Sequence, residues 1–154
     1  PGNKVRLKYG HVIECTGAKR DDAGNLLEVH ATLVPDTKSG TPGSDAIKVK
    51  GVITWVGAAD AVQAEVRLYD RLFAVPQPDT GHKDFLEELN PDSLKVVTAY
   101  VEPSLTGAKP DEKFQFERHG YFVADLKDHR SPLNGGEGKP VFNRVAGMKD
   151  SWGK

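Results

Sequence analysis

Short runs of alternating apolar and polar residues, separated by turn-forming residues, constrain the fold of this chain most. The runs favour β-branched and aromatic side chains over helix formers. In the run KFQF, Phe114 and Phe116 fall on one face of an extended segment and Gln115 falls on the other. One stretch alone, residues 84–89, resembles a short helix. About eight short strands predict an all-β protein, and closed or nearly closed barrels are expected because closure removes exposed strand edges.

Two segments near the start of the chain predict a hairpin. The runs VRLKYGHVIECTGAK and NLLEVHATLV flank RDDAGN, where Asp22, Gly24 and Asn25 supply turn-forming residues. We therefore expect the two runs to pair antiparallel. Further on, the apolar run IKVKGVITWV predicts a strand that ends near Trp55.

Composition and charge limit the cellular compartments and the binding partners expected for the protein. No apolar run is long enough to span a bilayer, so no membrane partner is expected. The single cysteine, Cys15, cannot form an intrachain disulfide, which favours a reducing, cytoplasmic setting. Because the net charge is only −1, a polyanion would need a local basic patch. The best one is NKVRLK, where Lys4, Arg6 and Lys8 share one face of a strand, although a merely solvated strand face explains the same pattern.

The sequence carries weak signals for catalysis. NGGEGKP fails as a phosphate-binding loop because Leu133 occupies the first glycine position and Pro140 the hydroxyl position. Five histidines are scattered without the close spacing of a metal site. Glu65 and Asp70 are five residues apart on a strand and so point to opposite faces. We expect no catalytic residue, metal or cofactor in this chain.

Arg118 breaks the alternation that the phenylalanines begin. A strict period of two places its guanidinium on the phenylalanine face, two residues before Gly120. RNA-binding proteins read unstacked bases with planar amide and guanidinium groups, and Gln115 and Arg118 supply one of each. In the alternative interpretation, Gln115 is a solvent-face residue and Arg118 pairs with Glu117 or Asp111.

Several long motifs resemble one family in order and spacing. They are KGVITWVGAADAVQAEVRLYDRLFAVPQP, FLEELNPDSLKVV, EPSL, FQFERHGYFVAD and PVFNRVAGMKDSW. Together they resemble the C-terminal region of bacterial glutaminyl-tRNA synthetases, over nearly the whole chain. Glutamyl-tRNA synthetases of the archaeal and eukaryotic type resemble it more distantly. An alternative from another functional class is a β-barrel protein-interaction module without RNA binding.

The resemblance implies a pair of antiparallel β-barrels of the ribosomal L25-like type that grip a tRNA anticodon. Residues 1–55 would belong to the distal barrel and residues 56–154 to the proximal barrel, with the upstream strands of both lying outside this chain. It also implies that Gln115 and Arg118 read the middle anticodon base, and that the strand bends between them with the help of Gly120.

The resemblance further implies a role for Arg6 and Lys8 at the first anticodon base and its phosphate. The family pattern has Arg-Leu-Arg where this sequence has Arg6-Leu7-Lys8. The Lys8 ammonium cannot make the two parallel hydrogen bonds of an arginine. We therefore expect Lys8 to contact the phosphate rather than to read the base.

The class I catalytic signatures, His-Ile-Gly-His and a Lys-Met-Ser-Lys-like motif, do not occur in these 154 residues. We therefore expect this chain to be inactive alone, with glutamine, ATP and Mg²⁺ bound by a catalytic domain outside it. The expected partner is glutamine tRNA, gripped by a full-length enzyme that is monomeric and cytoplasmic.

Overall fold

The computed structural model describes residues 1–80, 84–134 and 138–148, and it divides the chain into two compact units, Pro1–Trp55 and Val56–Lys154. Strands provide most of the regular structure. Within the described ranges the helices are three short 3₁₀ segments, Phe85–Glu88, Pro103–Gly107 and Pro132–Asn134. The predicted all-β class is therefore confirmed, and the short helix expected at 84–89 is the first 3₁₀ segment. That the two units are the distal and proximal barrel portions stays a prediction.

The first unit contains one four-stranded sheet. Its strands are β1 (Lys4–Leu7), β2 (Val12–Arg20), β3 (Leu26–Leu33) and β4 (Val52–Ile53), in the order β3-β2-β1-β4. β2 and β3 pair antiparallel across the predicted turn, where the Asn25 backbone N–H and side-chain amide both donate to the Asp21 carboxylate. The predicted hairpin is confirmed.

The run VRLKYGHVIECTGAK is two strands rather than one. The chain reverses between β1 and β2 through Tyr9, which has a φ of 59°, and the Gly10 N–H donates to the Leu7 carbonyl at 2.8 Å. A bulky residue rarely adopts positive φ, so composition gave no turn signal at Tyr9. The expected strand IKVKGVITWV shrinks to the two residues of β4, which pair parallel with β1.

The first unit has a small apolar core. Val12 is its one fully buried apolar side chain among the described residues. The hydroxyl of Thr37, itself buried, accepts from the Val12 backbone N–H at 2.9 Å and donates to the Val34 carbonyl at 2.7 Å. Every residue of edge strand β3 is exposed. Because so few apolar side chains are buried, hydrogen bonds from the β3–β4 loop (residues 34–51) contribute more than usual to the stability of this unit.

The second unit contains one five-stranded sheet. Its strands are β5 (Val62–Tyr69), β6 (Leu94–Val101), β7 (Lys113–Phe116), β8 (Gly120–Ala124) and β9 (Val141–Ala146), in the order β6-β5-β9-β8-β7. One face carries a buried cluster: Ala64, Val66, Val101, Ala108, Phe122, Ala124 and Phe142. Phe114 and Phe116 pack against it, as the alternation predicts.

A buried histidine fastens the loop after β8 to this core. His129 is 1% exposed, and its Nε2 faces the Ala108 carbonyl at 3.0 Å, so Nε2 must carry the proton and donate. Its Nδ1 then accepts from the Val141 backbone N–H at 3.2 Å. The ring also contacts Phe142 edge to face, with centroids 5.3 Å apart.

The prediction of two closed, antiparallel barrels is wrong in two respects. Over the described residues both sheets are open, because no strand pair joins β3 to β4 or β6 to β7. Both sheets are also mixed, since β1 pairs parallel with β4 and β5 pairs parallel with β9. Parallel pairing needs a long crossover connection. The alternation within a strand does not specify which distant strand becomes its neighbour.

Candidate nucleic-acid interface

The β7–β8 hairpin is anchored by stacked and edge-to-face phenylalanine contacts. Phe116 stacks on Phe122 with ring centroids 4.4 Å apart, and Phe114 meets Phe142 edge to face at 5.8 Å. Such pairs contribute about 0.5–1.5 kcal/mol each beyond the area that they bury. These contacts fix the strand and leave the one residue between the two phenylalanines on its other face.

Gln115 occupies that other face and is exposed. It pairs with Tyr121 of β8 across the ladder. Its amide Nε2 lies 3.8 Å from the Met148 Sδ, a weak acceptor, and among the described residues this is the amide's one hydrogen bond. The Gln115 amide oxygen and a second N–H are therefore available to a ligand.

Arg118 lies in the turn of the hairpin, beyond the end of β7. The His119 N–H donates to the Phe116 carbonyl at 2.9 Å, which closes a β-turn with Arg118 at its third position. Arg118 has a φ of 67°, the sign that a type II turn requires there. The expected bend between Gln115 and Arg118 is thus a full chain reversal, and the exposed guanidinium leaves the phenylalanine face.

Gly120 makes the reversal possible, as the sequence suggested. Its φ is 139°, and a Cβ at this position would lie 2.3 Å from the carbonyl oxygen of Ala146 in β9. No other residue fits both the backbone conformation and the space. Asp111, one of the alternative ion-pair partners of Arg118, pairs with Lys113 at 2.8 Å.

Arg6 is half-buried and hydrogen-bonded to the β3–β4 loop. Its two terminal nitrogens donate to the carbonyls of Thr37 and Ser44, both at 2.7 Å, and longer contacts reach Gly10 O at 3.4 Å and Ser39 Oγ at 3.3 Å. Sequence reasoning missed this role, because a guanidinium that crosslinks a loop looks the same in sequence as one that binds RNA. Few of its five N–H donors remain for a base.

The predicted basic row of Lys4, Arg6 and Lys8 is not a free cationic stripe. Lys4 pairs with Glu14 at 3.3 Å, and Lys8 follows the last residue of β1. The Lys8 ammonium lies 5.3 Å from the centre of the Tyr9 ring, and its carbonyl accepts from the Trp55 indole N–H at 3.0 Å. This end of β1 therefore brings Lys8 close to the exposed rings of Tyr9 and Trp55.

A charged network that sequence analysis did not predict organises the second sheet. The Arg67 guanidinium donates to Glu65 at 2.8 Å, to Asp128 at 2.7 Å and, more weakly, to Asp125 at 3.4 Å. Glu65 also pairs with Lys139 at 3.1 Å. Glu65 and Arg67 are two residues apart and therefore share one face of the strand, so their ion pair could have been predicted from the sequence. The network holds the loop that follows β8 against β5.

Asp125 is the most perturbed carboxylate of this network. It accepts from the Asn143 amide at 2.7 Å and from the backbone N–H groups of Asp128 at 2.7 Å and Lys127 at 2.9 Å. These hydrogen bonds, led by that from Asn143, lower the pKa of Asp125 from 3.8 to about 2. The carboxylates around Arg67 raise the pKa of that guanidinium.

The candidate catalytic and metal motifs gain no support as a site. No cluster of three or more His, Cys, Asp or Glu side chains suited to a metal ion occurs in the described ranges. His82, and residues 135–137 of the NGGEGKP segment, lie outside them. In the same part of the chain there is no helix with the length and apolar character needed to cross a membrane.

Comparison with known proteins shows which class of domain the segment containing this hairpin resembles. Residues 52–125 match the family described as tRNA synthetases class I (E and Q), anti-codon binding domain. This stretch, just under half of the chain, is therefore similar to the anticodon-binding domains of that family. Over all 154 residues it is 66% identical to the glutamine–tRNA ligase of Ralstonia nicotianae, covering 26% of that protein.

Other similar proteins have the same name. The chain is 66% identical over 154 residues to the glutamine–tRNA ligase of Cupriavidus taiwanensis, covering 25% of it. It is 60% identical over 152 residues, 99% of the chain, to that of Bordetella avium, again covering 25%. The chain thus spans about a quarter of the length of the curated relatives that it matches. The resemblance to glutaminyl-tRNA synthetases is confirmed.

Proposed function

We propose that this chain is the anticodon-binding region of a glutamine–tRNA ligase and that it selects glutamine tRNA by its anticodon. The observation that carries the proposal is the match of the entire chain to ligases of that name, combined with an exposed glutamine and arginine on one phenylalanine-anchored hairpin. Neither alternative is favoured: the named relatives are glutamine ligases rather than glutamyl enzymes, and they are not interaction modules.

The middle anticodon base is the partner of Gln115 and Arg118 in this proposal. That base is a uridine, whose pairing edge presents one N–H donor between two carbonyl acceptors. The Gln115 amide can both accept from the N–H and donate to a carbonyl, while Arg118 adds donors and a positive charge. The arrangement gives specificity because a cytidine edge presents the wrong order of donors and acceptors.

Arg6 and Lys8 serve the first anticodon nucleotide in this proposal. Lys8 supplies a point charge to the phosphate, a role that an ammonium performs without bidentate geometry. Arg6 holds the β3–β4 loop through the Thr37 and Ser44 carbonyls and offers its remaining N–H donors to the nucleotide.

The chemistry of glutamine transfer is proposed for a catalytic domain outside these residues, which would bind ATP, Mg²⁺ and glutamine. The full-length enzyme is proposed to work as a monomer in the cytoplasm. On this view, the 154-residue chain by itself catalyses no glutamine-dependent exchange between ATP and pyrophosphate, a reaction that is readily measured.

A gel-shift comparison tests the proposal directly. Glutamine tRNA and a transcript altered only in its anticodon are titrated against the full-length ligase that carries this chain. Discrimination between the two transcripts is expected, together with a fall of log affinity with log salt of about 0.7 per neutralised phosphate on a single strand. Equal affinity for both transcripts, or binding that ignores salt, would instead support a protein-interaction module.

A further inference from the structure

Tyr121 lies directly across the β7–β8 ladder from Gln115. Residues paired in this way on antiparallel strands have Cβ atoms about 4.5–5.5 Å apart on the same face of the sheet. On that face Tyr121 is 49% exposed, whereas the next residue, Phe122, is 3% exposed and packs in the core. The register therefore places an accessible aromatic side chain beside the glutamine.

The tyrosine has no evident structural task. In the described part of the chain its hydroxyl makes no hydrogen bond, and its ring is absent from the aromatic pairs, all of which involve Phe142 or Phe122. A half-exposed ring on a strand is commonly explained by cross-strand packing alone. Here its cross-strand neighbours are the polar amide of Gln115 and the single methyl group of Ala146, so packing accounts for little of the exposed aromatic surface.

We propose that Tyr121 is the stacking platform for the anticodon base that Gln115 and Arg118 read. The inference rests on the proposed function and deepens it. Unstacked RNA bases are held by an aromatic face together with hydrogen bonds to the base edge, and aromatic stacking tolerates any base. Tyr121 thus supplies affinity that does not depend on sequence, while Gln115 supplies the discrimination.

The same sheet contains a natural control. Tyr100 of β6 is 63% exposed and pairs with Gln63 of β5, so it repeats the Gln–Tyr pairing near the opposite edge. Its surroundings differ in charge: Glu65 lies two residues from Gln63 on the strand, and Glu102 follows close behind Tyr100. Acidic neighbours repel phosphate, whereas Arg118 attracts it.

The test measures affinity for two glutamine tRNA transcripts, one intact and one abasic at the middle anticodon position. The full-length ligase carrying this chain is compared with its Tyr121→Ala, Tyr121→Phe and Tyr100→Ala variants. Tyr121→Ala should weaken binding of the intact transcript about 5- to 150-fold, the usual range for a base–aromatic stack. It should change binding of the abasic transcript by less than about twofold, because there the stacking partner is already missing. Tyr121→Phe, which keeps the ring, and Tyr100→Ala should leave both affinities within about twofold.

A second readout follows the stack itself. A fluorescent uridine analogue that keeps the pairing edge and whose emission is quenched by stacking, placed at the middle position, should lose fluorescence on binding wild-type ligase and keep it on binding Tyr121→Ala. Should Tyr121→Ala fold poorly, as judged by thermal unfolding, Tyr121→Leu retains the apolar bulk without the aromatic face. Tyr121→Leu should show the same loss as Tyr121→Ala.

The outcomes separate this inference from the proposed function. If wild-type ligase binds cognate and anticodon-altered transcripts equally, the proposed function fails and the inference fails with it. If wild type discriminates but Tyr121→Ala weakens intact and abasic transcripts by the same factor, the function stands and the stacking role is wrong. Full affinity in Tyr121→Leu overturns the stacking role as well, because apolar bulk then suffices.

Discussion

Replacing Arg6 by Ala removes the side chain that crosslinks the β3–β4 loop to β1. The variant loses two short hydrogen bonds from a charged donor, to the carbonyls of Thr37 and Ser44 at 2.7 Å. It also leaves both carbonyls without that donor in a loop where Thr37 and Ser44 are themselves buried. The local structure, rather than RNA binding alone, should therefore suffer.

The magnitude follows from the number and kind of the bonds. A hydrogen bond to a charged group contributes about 1.5–3 kcal/mol when buried, and half-burial of the guanidinium favours the lower end of that range. Two such bonds predict a loss of about 2–4 kcal/mol in the free energy of unfolding. Val12 is the only fully buried apolar side chain among this unit's described residues, so little core burial compensates for the loss.

Chemical unfolding and amide hydrogen exchange of the β3–β4 loop measure this prediction. Arg6→Lys should lose roughly half as much as Arg6→Ala, because an ammonium cannot span both carbonyls as the fork does. Arg20→Ala is the matched control: its guanidinium also donates to a carbonyl, that of Gly24 at 2.8 Å, but the bond is exposed. A change below about 0.5 kcal/mol is expected there. Wild-type stability and loop protection in Arg6→Ala would refute the reasoning.

Three further predictions concern the second unit. In the full-length ligase that carries this chain, replacing Gln115 or Arg118 by Ala should each cost about 1–3 kcal/mol in kcat/KM for glutamine tRNA without altering amino-acid activation, and should cost little with a tRNA already changed at the middle base. Gly120→Ala should destabilise by more than about 2 kcal/mol in thermal unfolding, since its Cβ would overlap Ala146 O and positive φ strains any L residue. Asp125→Asn should lower stability at pH 7 by about 2 kcal/mol, the worth of a pKa depressed from 3.8 to about 2.

Each of these predictions has an opposing result. Equal losses with cognate and middle-base-altered tRNA would make Gln115 and Arg118 phosphate-binding or structural residues. A Gly120→Ala protein as stable as the wild type would mean that β8 and β9 can move apart to accommodate the Cβ without cost, which contradicts the reasoning. For Asp125, a depressed carboxylate pKa gives stability that is complete above pH 3.8 and is lost as pH falls through about 2. In Asp125→Asn the free energy of unfolding should depend less on pH between 3.8 and about 2. An unchanged pH dependence in this range would contradict the lowered pKa of Asp125.

Local sequence patterns predicted the positions of strands and turns better than they predicted which strands pair. The Asp-rich turn after β2, the alternation of β7 and the apolar cluster that anchors it follow from period and turn chemistry alone. The break at Tyr9 did not, because a tyrosine at positive φ is held there by its surroundings rather than by preference. The parallel pairings of β4 and β9 depend on contacts between residues far apart in sequence, so no local pattern encodes them.

The same holds for the candidate site: strand period predicted some of its features, and others required the structure. Gln115 was placed correctly on the exposed face because strand period determines it. Strict strand period would place Arg118 on the phenylalanine face, so the bend before it was expected from the resemblance; period alone does not predict that this bend is a turn, because the turn has no glycine at its positive-φ position. The loop-crosslinking role of Arg6 and the cross-strand position of Tyr121 required the register, which only the structure supplies.

The positive φ of Arg118 makes thermal stability and the proposed anticodon contact compete at one position. A side chain at φ 67° is less favourable than glycine, so Arg118→Gly should raise the melting temperature while erasing the proposed contact with the anticodon. Selection of this protein for heat resistance alone would therefore drift toward glycine or asparagine at position 118. Under the proposed function, ligases carrying such variants would be more stable and would discriminate less between tRNAs, so stabilising designs should keep the sequence of this hairpin turn unchanged.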